Sequence, residues 1–195
     1  MTIAAMDESE QSVMRQAITA PEGGRWRALA AWPDAERPTA LWPWLTHSGS
    51  LTQKLRELAG AAFHVEVLRE SGTELGVEDA QLLAIAPGST AQLREVYLCG
   101  TQPLVFGRTL APDHGAARWL ERLGAQPLGD RVFADQDTAR GEIEVQRVTA
   151  SDAFYRAAVR GLAEPPGWLW ARRSVLRVKA ARLLIYECFL PGVTD

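Results

Sequence analysis

The sequence predicts an α+β protein built on a largely antiparallel sheet. Five or six stretches alternate apolar and polar residues with the period of a half-buried strand. Most of them are joined by short turns, the lengths of hairpins. The helical stretches are inserted between these strands, which places the chain in the α+β class.

Residues 1–38 read as an N-terminal arm, packed in places, with a short helix over 8–20 and then P-E-G-G and W-P-D-A-E-R-P turns. Residues 39–195 read as a single domain. A helix is expected over Leu51–Ala61. Ser50 can cap it, Gln53 completes a capping box, and Leu51, Leu55 and Leu58 share one face. F-H-V-E-V-L-R-E (63–70) alternates, with Phe63, Val65 and Val67 on one side. L-R-E-V-Y-L-C-G (93–100) and P-L-V-F-G-R-T-L-A-P (103–112) form a hairpin around G-T-Q. Residues 113–124 read as a helix capped by Asp113 and stopped at Gly124. P-L-G-D-R-V-F (127–133) is a loop or a second short helix, and E-I-E-V-Q-R-V (142–148) a further strand. A helix over 152–163 ends at E-P-P-G. R-R-S-V-L-R-V (172–178), the K-A-A-R turn and R-L-L-I-Y-E-C-F-L-P (182–191) make a last hairpin.

Composition excludes several classes. With 195 residues, 47% hydrophobic and 23% charged, the chain is an ordinary globular protein. A net charge of −3 offers no basic field for nucleic acid or an anionic membrane. No apolar run is long enough to span a bilayer, and the N-terminus lacks the basic start and apolar stretch of a secretory signal. The two cysteines, Cys99 and Cys188, read as small buried hydrophobes, so a reducing cytoplasm is expected. His47, His64 and His114 lie far apart, which argues against a metal site. No phosphate loop, dinucleotide fingerprint or nucleophile elbow occurs, and no cofactor is implied. The seven tryptophans are dispersed and read as packing residues.

Chemistry enters through misplaced charges. Strand alternation puts Glu187 on a face with Leu183, Ile185 and Phe189. Arg94 shares a face with Val96 and Leu98, and Arg108 with Leu104, Phe106 and Leu110. A buried charge costs several kcal/mol unless paired. Either these groups are separate salt-bridged or solvated strand residues, or they meet each other or a ligand. An apolar cavity with a few convergent polar groups is the usual form of a small-molecule site.

Seven segments in order, from W-L-x-x-x-G-S-L-T (44–52) through V-L-R-E (67–70), L-R-E-V-Y-L-C (93–99), G-R-T-L-A-P (107–112), L-G-A-Q-P-L-G-D-R-V-F (123–133) and R-R-S (172–174) to L-L-I-Y-E-C-F-L-P (183–191), make the chain resemble the chorismate–pyruvate lyase family. The first forty or so residues lie outside this resemblance. It implies a highly twisted sheet with an internal ligand cavity covered by two helical flaps. It implies conversion of chorismate to 4-hydroxybenzoate and pyruvate, the first committed step of ubiquinone biosynthesis. By the same resemblance Glu187 is the active-site glutamate, Arg94 holds the ring carboxylate, and Leu51 and Leu128 are flap positions offering backbone N–H groups. Arg108 is a weaker candidate for the second carboxylate, with a structural ion pair as its equal alternative. Arg172 and Arg173 read as structural or surface residues. Residues 151–166 look longer than usual for the family and are expected to enlarge a surface connection. A monomer is expected, with no metal, nucleic acid or membrane partner. The competing reading is a non-catalytic protein of the same fold that binds a small aromatic acid.

Overall fold

The computed structural model describes residues 25–112, 124, 126–132, 138–178 and 181–194. The expected helix over 8–20, and all but Gly124 of that over 113–124, lie outside the described residues. Eight strands form one sheet: β1 (Arg27–Ala28), β2 (His64–Glu74), β3 (Thr90–Cys99), β4 (Pro103–Pro112), β5 (Thr138–Arg140), β6 (Glu144–Thr149), β7 (Trp168–Val178) and β8 (Ala181–Phe189). Their order is β1-β6-β7-β8-β4-β3-β2, with β5 also paired to β7, and the pairings are antiparallel. The sequence anticipates about six strands. The two it misses, β1 and β5, span 2 and 3 residues and are too short to show alternation.

Five helices are described: α1 (Trp42–Leu45), α2 (Leu51–Ala59), α3 (Val77–Leu83), α4 (Leu128–Val132) and α5 (Ala153–Ala158). Ser50 caps α2 as expected, its Oγ accepting from the Gln53 N–H at 3.3 Å. The return half of the capping box is replaced, because the Gln53 amide donates to Glu57 instead. No described helix is long and apolar enough to cross a membrane.

Alternation divides the sheet into two unlike faces. The back face carries Tyr97, Phe106, Leu110, Leu184, Tyr186 and Cys188, packed with Phe154 and Tyr155 of α5. The stretch 151–166, expected at the surface, therefore contributes core. Tyr97 Oη donates to the Ala158 carbonyl at 2.8 Å and accepts from the Gly161 N–H at 3.1 Å. The front face holds two separate apolar clusters. One gathers Leu98, Val105, Val145, Trp170 and Phe189 beneath Leu45, Leu51 and Leu55. The other gathers Leu176, Leu183 and Ile185 with Val132 of α4. Along β8 the front-facing residues run Leu183, Ile185, Glu187, Phe189, so Glu187 stands in the gap between the clusters.

Candidate active site

A pocket lies in that gap. The sheet supplies Arg94, Val96 and Leu98 from β3, Gly107 and Thr109 from β4, Glu187 from β8 and Arg140 from β5. Helix α2 adds Leu51 and Thr52, and the start of α4 adds Leu128 and Gly129. The two helices touch closely here. A Cβ on Gly129 would stand 2.5 Å from Thr52 Oγ1, so a side chain at this position would push the helices apart. On their outer side, Arg56 of α2 and Asp130 of α4 form a two-pronged ion pair at 2.6 and 2.7 Å. Leu51, Arg94, Leu128 and Glu187, four positions singled out in the sequence, thus line one pocket.

Glu187 is held from behind. The β7–β8 hairpin sets Arg172 directly opposite it, and Arg172 Nε donates to Glu187 Oε2 at 2.5 Å. Arg172 is 1% exposed and does not line the pocket. Its Nη1 donates to the carbonyls of Trp44, Leu45 and His47, tying the carboxylate to the connection between α1 and α2. Burial pushes the Glu187 carboxyl up. The nearby Arg172 and Arg140 charges, the Arg172 hydrogen bond and His47 more than offset this, leaving its pKa below the ordinary carboxylate value. Glu187 is therefore a carboxylate at neutral pH, an acceptor and not a donor. His47 is pushed down from its ordinary value by burial and by Lys54, Arg172 and Arg140, outweighing a hydrogen bond that it donates to the Ser50 backbone.

Arg94 is fixed just as firmly. Glu70 stands opposite it on β2 and forms an ion pair with its Nη1. Its Nη2 donates to the carbonyl of Gly124 at 2.6 Å. Two further arginines stand at or beside the pocket. Arg172, expected as structural or at the surface, is structural and buried, and it pairs with Glu187. The β7–β8 register, with Val178 beside Ala181, faces it to Glu187. Arg140 lines the pocket, its Nε donating to the Ser48 carbonyl at 3.1 Å and its Nη1 to Ser174 Oγ at 2.5 Å. It sits in a strand too short for alternation to reveal.

Of the two readings open for Arg108, a second-carboxylate ligand or a structural ion pair, the structure shows the ion pair. Arg108 lies on the back face, does not line the pocket, and donates to Glu95 at 2.6 and 2.9 Å beneath the Phe154 ring. The cause is a single irregularity in the β3–β4 hairpin between Leu98 and Cys99. Continued regularly, the Cys99–Pro103 pairing would set Arg108 opposite Arg94. The extra residue sets Thr109 there instead, and a slip of one residue exchanges faces.

The family model described as "Chorismate lyase" matches residues 29–195. The chain belongs to the chorismate lyase family. It is 39% identical over 179 residues to the probable chorismate pyruvate-lyase of Azoarcus sp. strain BH72, covering 88% of this chain and 93% of that protein. It is 37% identical over 174 residues to the protein of the same name from Pseudomonas aeruginosa strain UCBPP-PA14, covering 85% and 94%. The chorismate lyase match reaches back to residue 29, upstream of the motifs at 44–52, and so takes in Trp32. That residue is buried edge-on against Trp170 at 4.9 Å. Among solved structures the chain resembles PhnF from Mycobacterium smegmatis, with a TM-score of 0.58 at 13% identity, covering 77% of this chain and 67% of that one. It also resembles the separate PhnF effector domain, with a TM-score of 0.53 at 14% identity over 74% of this chain and 90% of that one. At such identity the likeness is one of fold alone.

Proposed function

We propose that this chain is a chorismate–pyruvate lyase: it breaks the C3–O bond of chorismate, takes the hydrogen from C4, and releases 4-hydroxybenzoate and pyruvate. Family membership supports the reaction. The observation that carries the residue assignment is that a held arginine, Arg94, and a held carboxylate, Glu187, line one pocket from different strands. Chorismate's ring carboxylate pairs with Arg94. Its 4-hydroxyl lies toward Glu187, which accepts the hydroxyl hydrogen bond. The depressed pKa of Glu187 favours an acceptor or base at C4 over an acid at the ether oxygen. The departing enolpyruvate gains a proton at its methylene to become pyruvate. Aromatisation drives the reaction.

Helices α2 and α4 act as the flaps. Leu51 and Leu128 open them, at the positions where first-turn N–H groups lack an intrahelical acceptor. The enzyme works as a cytoplasmic monomer without metal or cofactor, and its product serves ubiquinone synthesis. Incubating the purified chain with chorismate and following 4-hydroxybenzoate and pyruvate tests the reading. Equimolar formation of both is expected. Tight 4-hydroxybenzoate binding with no chorismate consumption would favour the non-catalytic alternative.

A further inference from the structure

We propose that Arg140 receives the enolpyruvyl carboxylate of chorismate, and so is the residue that distinguishes substrate from product; this rests on the lyase reading and extends it to the second charge of the substrate. Chorismate is a dianion and 4-hydroxybenzoate keeps only the ring carboxylate. The ring carboxylate lies across the ring from C4, whereas the enolpyruvyl ether is attached at C3, beside C4. A pocket that places the 4-hydroxyl at Glu187 and the ring carboxylate at Arg94 must therefore place the second carboxylate on the Glu187 side, away from Arg94.

Arg140 is the cation at that end. Among the described lining residues the arginines are Arg94 and Arg140. In strand order Arg140 on β5 and Arg94 on β3 stand on opposite sides of Glu187 on β8. Arg140 and Glu187 act electrostatically on each other. Arg94 is not among the principal charges acting on Glu187. The other arginines near the site are placed elsewhere: Arg172 stands behind Glu187 outside the lining, and Arg108 lies on the back face.

The guanidinium is also pre-positioned. Ser174 of β7 anchors it from the sheet and the Ser48 carbonyl anchors it from the segment leading into α2. A guanidinium already fixed in place loses little freedom when it meets a carboxylate, and its planar fork matches that group. The same anchors make Ser174 a positioning residue for Arg140.

The test separates the two carboxylates. In the full chain, Arg140→Gln is expected to raise KM for chorismate about 10- to 100-fold, the loss of one charge-assisted contact. Its Kd for 4-hydroxybenzoate, read by calorimetric titration, stays within about twofold, since the product lacks the missing carboxylate. Arg140→Lys falls between and keeps the assignment testable if the glutamine variant does not fold. Arg94→Gln weakens substrate and product together. Ser174→Ala, which removes the anchor and keeps the charge, has a smaller effect than Arg140→Gln. An unchanged chorismate KM in Arg140→Gln overturns the proposal, as does an equal loss of 4-hydroxybenzoate affinity. A Ser174→Ala effect as large as that of Arg140→Gln overturns it too, since a structural role would then suffice. If the wild-type chain does not consume chorismate, the lyase reading fails instead, and the Kd values for chorismate and 4-hydroxybenzoate still decide the role of Arg140.

Discussion

On the back of the sheet Glu95 pairs with Arg108, and Arg173 reaches both Glu78 and Glu144; on the front Arg172 pairs with Glu187 and Arg94 with Glu70. The two sets come from neighbouring residues. Arg94 and Glu95, Arg172 and Arg173, Tyr186 and Glu187 are sent to opposite faces by alternation. The faces differ in what surrounds the charges. On the back, aromatic rings cover the arginines: Phe154 lies over Arg108 and Trp26 over Arg173, and the outer partners reach solvent, Glu78 being 64% exposed. On the front, the Arg172 and Glu187 side chains are 1% and 10% exposed, and the space beside them is left open between two apolar clusters. Ion pairs under packed rings hold elements together. A dry pair beside a void does so at a higher desolvation cost, and that cost makes sense where a ligand completes the site.

The sharpest way to break this contrast is to neutralise one member of an ion pair on each face. Glu187→Gln keeps an acceptor for Arg172 yet is expected to lower kcat about 10²- to 10⁴-fold, the usual range for a lost general base. Arg108→Gln is expected to leave kcat within about twofold, since Arg108 does not line the pocket. Steady-state kinetics of both variants, with circular dichroism to confirm folding, decides the matter. Equal losses would mean that the back face also takes part in chemistry.

Stability should show the next effect. Arg172→Met strands a buried carboxylate and is expected to cost about 3–5 kcal/mol in urea unfolding. Glu78→Gln, which removes a partner that is 64% exposed and leaves Arg173 its bond to Glu144, should cost about 1 kcal/mol or less. If Arg172→Met is as mild as Glu78→Gln, water reaches the front pair and the buried-pair description fails.

Much of this contrast was written in the alternation, and the part that was not has specific causes. The faces of β3, β4 and β8 follow from period two, which is why Glu187 and Arg94 stand out in the sequence. Arg108 shares every local feature with Arg94, and only the irregularity at Leu98/Cys99 sends it to the other side. Such a bulge is a tertiary choice of register, with no signature in L-C-G-T-Q-P. Arg172 was hidden by its neighbour, since R-R offers one arginine to each face and alternation alone cannot say which face holds the site. Arg140 was hidden by the shortness of β5. Helix α3, with two buried residues in about two turns, offered too little periodicity to be seen.

Acid should separate the faces by pH. Glu187 lies below its ordinary value of 4.5, so its contribution to stability is complete above pH 4.5 and is lost as pH falls through the depressed value. His47 lies below its ordinary 6.5; its neutral form is favoured in the fold, so stability is complete above 6.5 and declines below it. Stability should therefore decline gently below pH 6.5 and steeply below 4.5, while the acid limb of kcat stays below 4.5. Replacing Arg172 by Met removes the leading charge that lowers Glu187 and should move that limb upward. A pH–rate profile of the two proteins reads this directly, and an unmoved limb would show that Arg172 does not set the charge of Glu187.

The smallest effect belongs where the front face meets solvent. Arg56 and Asp130 join α2 to α4 through two hydrogen bonds, but their side chains are 46% and 38% exposed, so screening limits the pair to about 0.2–1 kcal/mol. That is too little to matter for folding and enough to matter for a gate, because 1 kcal/mol is a factor of about 5 in a rate or an equilibrium. If α2 and α4 are the flaps proposed above, product leaves when Leu51 and Leu128 part, and this pair must then break. Asp130→Asn is therefore expected to leave the single-turnover rate unchanged and to raise steady-state turnover about two- to fivefold, with added salt producing part of the same gain in the wild type. Faster turnover in both regimes would place the effect on chemistry. No change in either would mean that the helices part elsewhere, leaving the close approach of Gly129 to Thr52 as the contact that holds them.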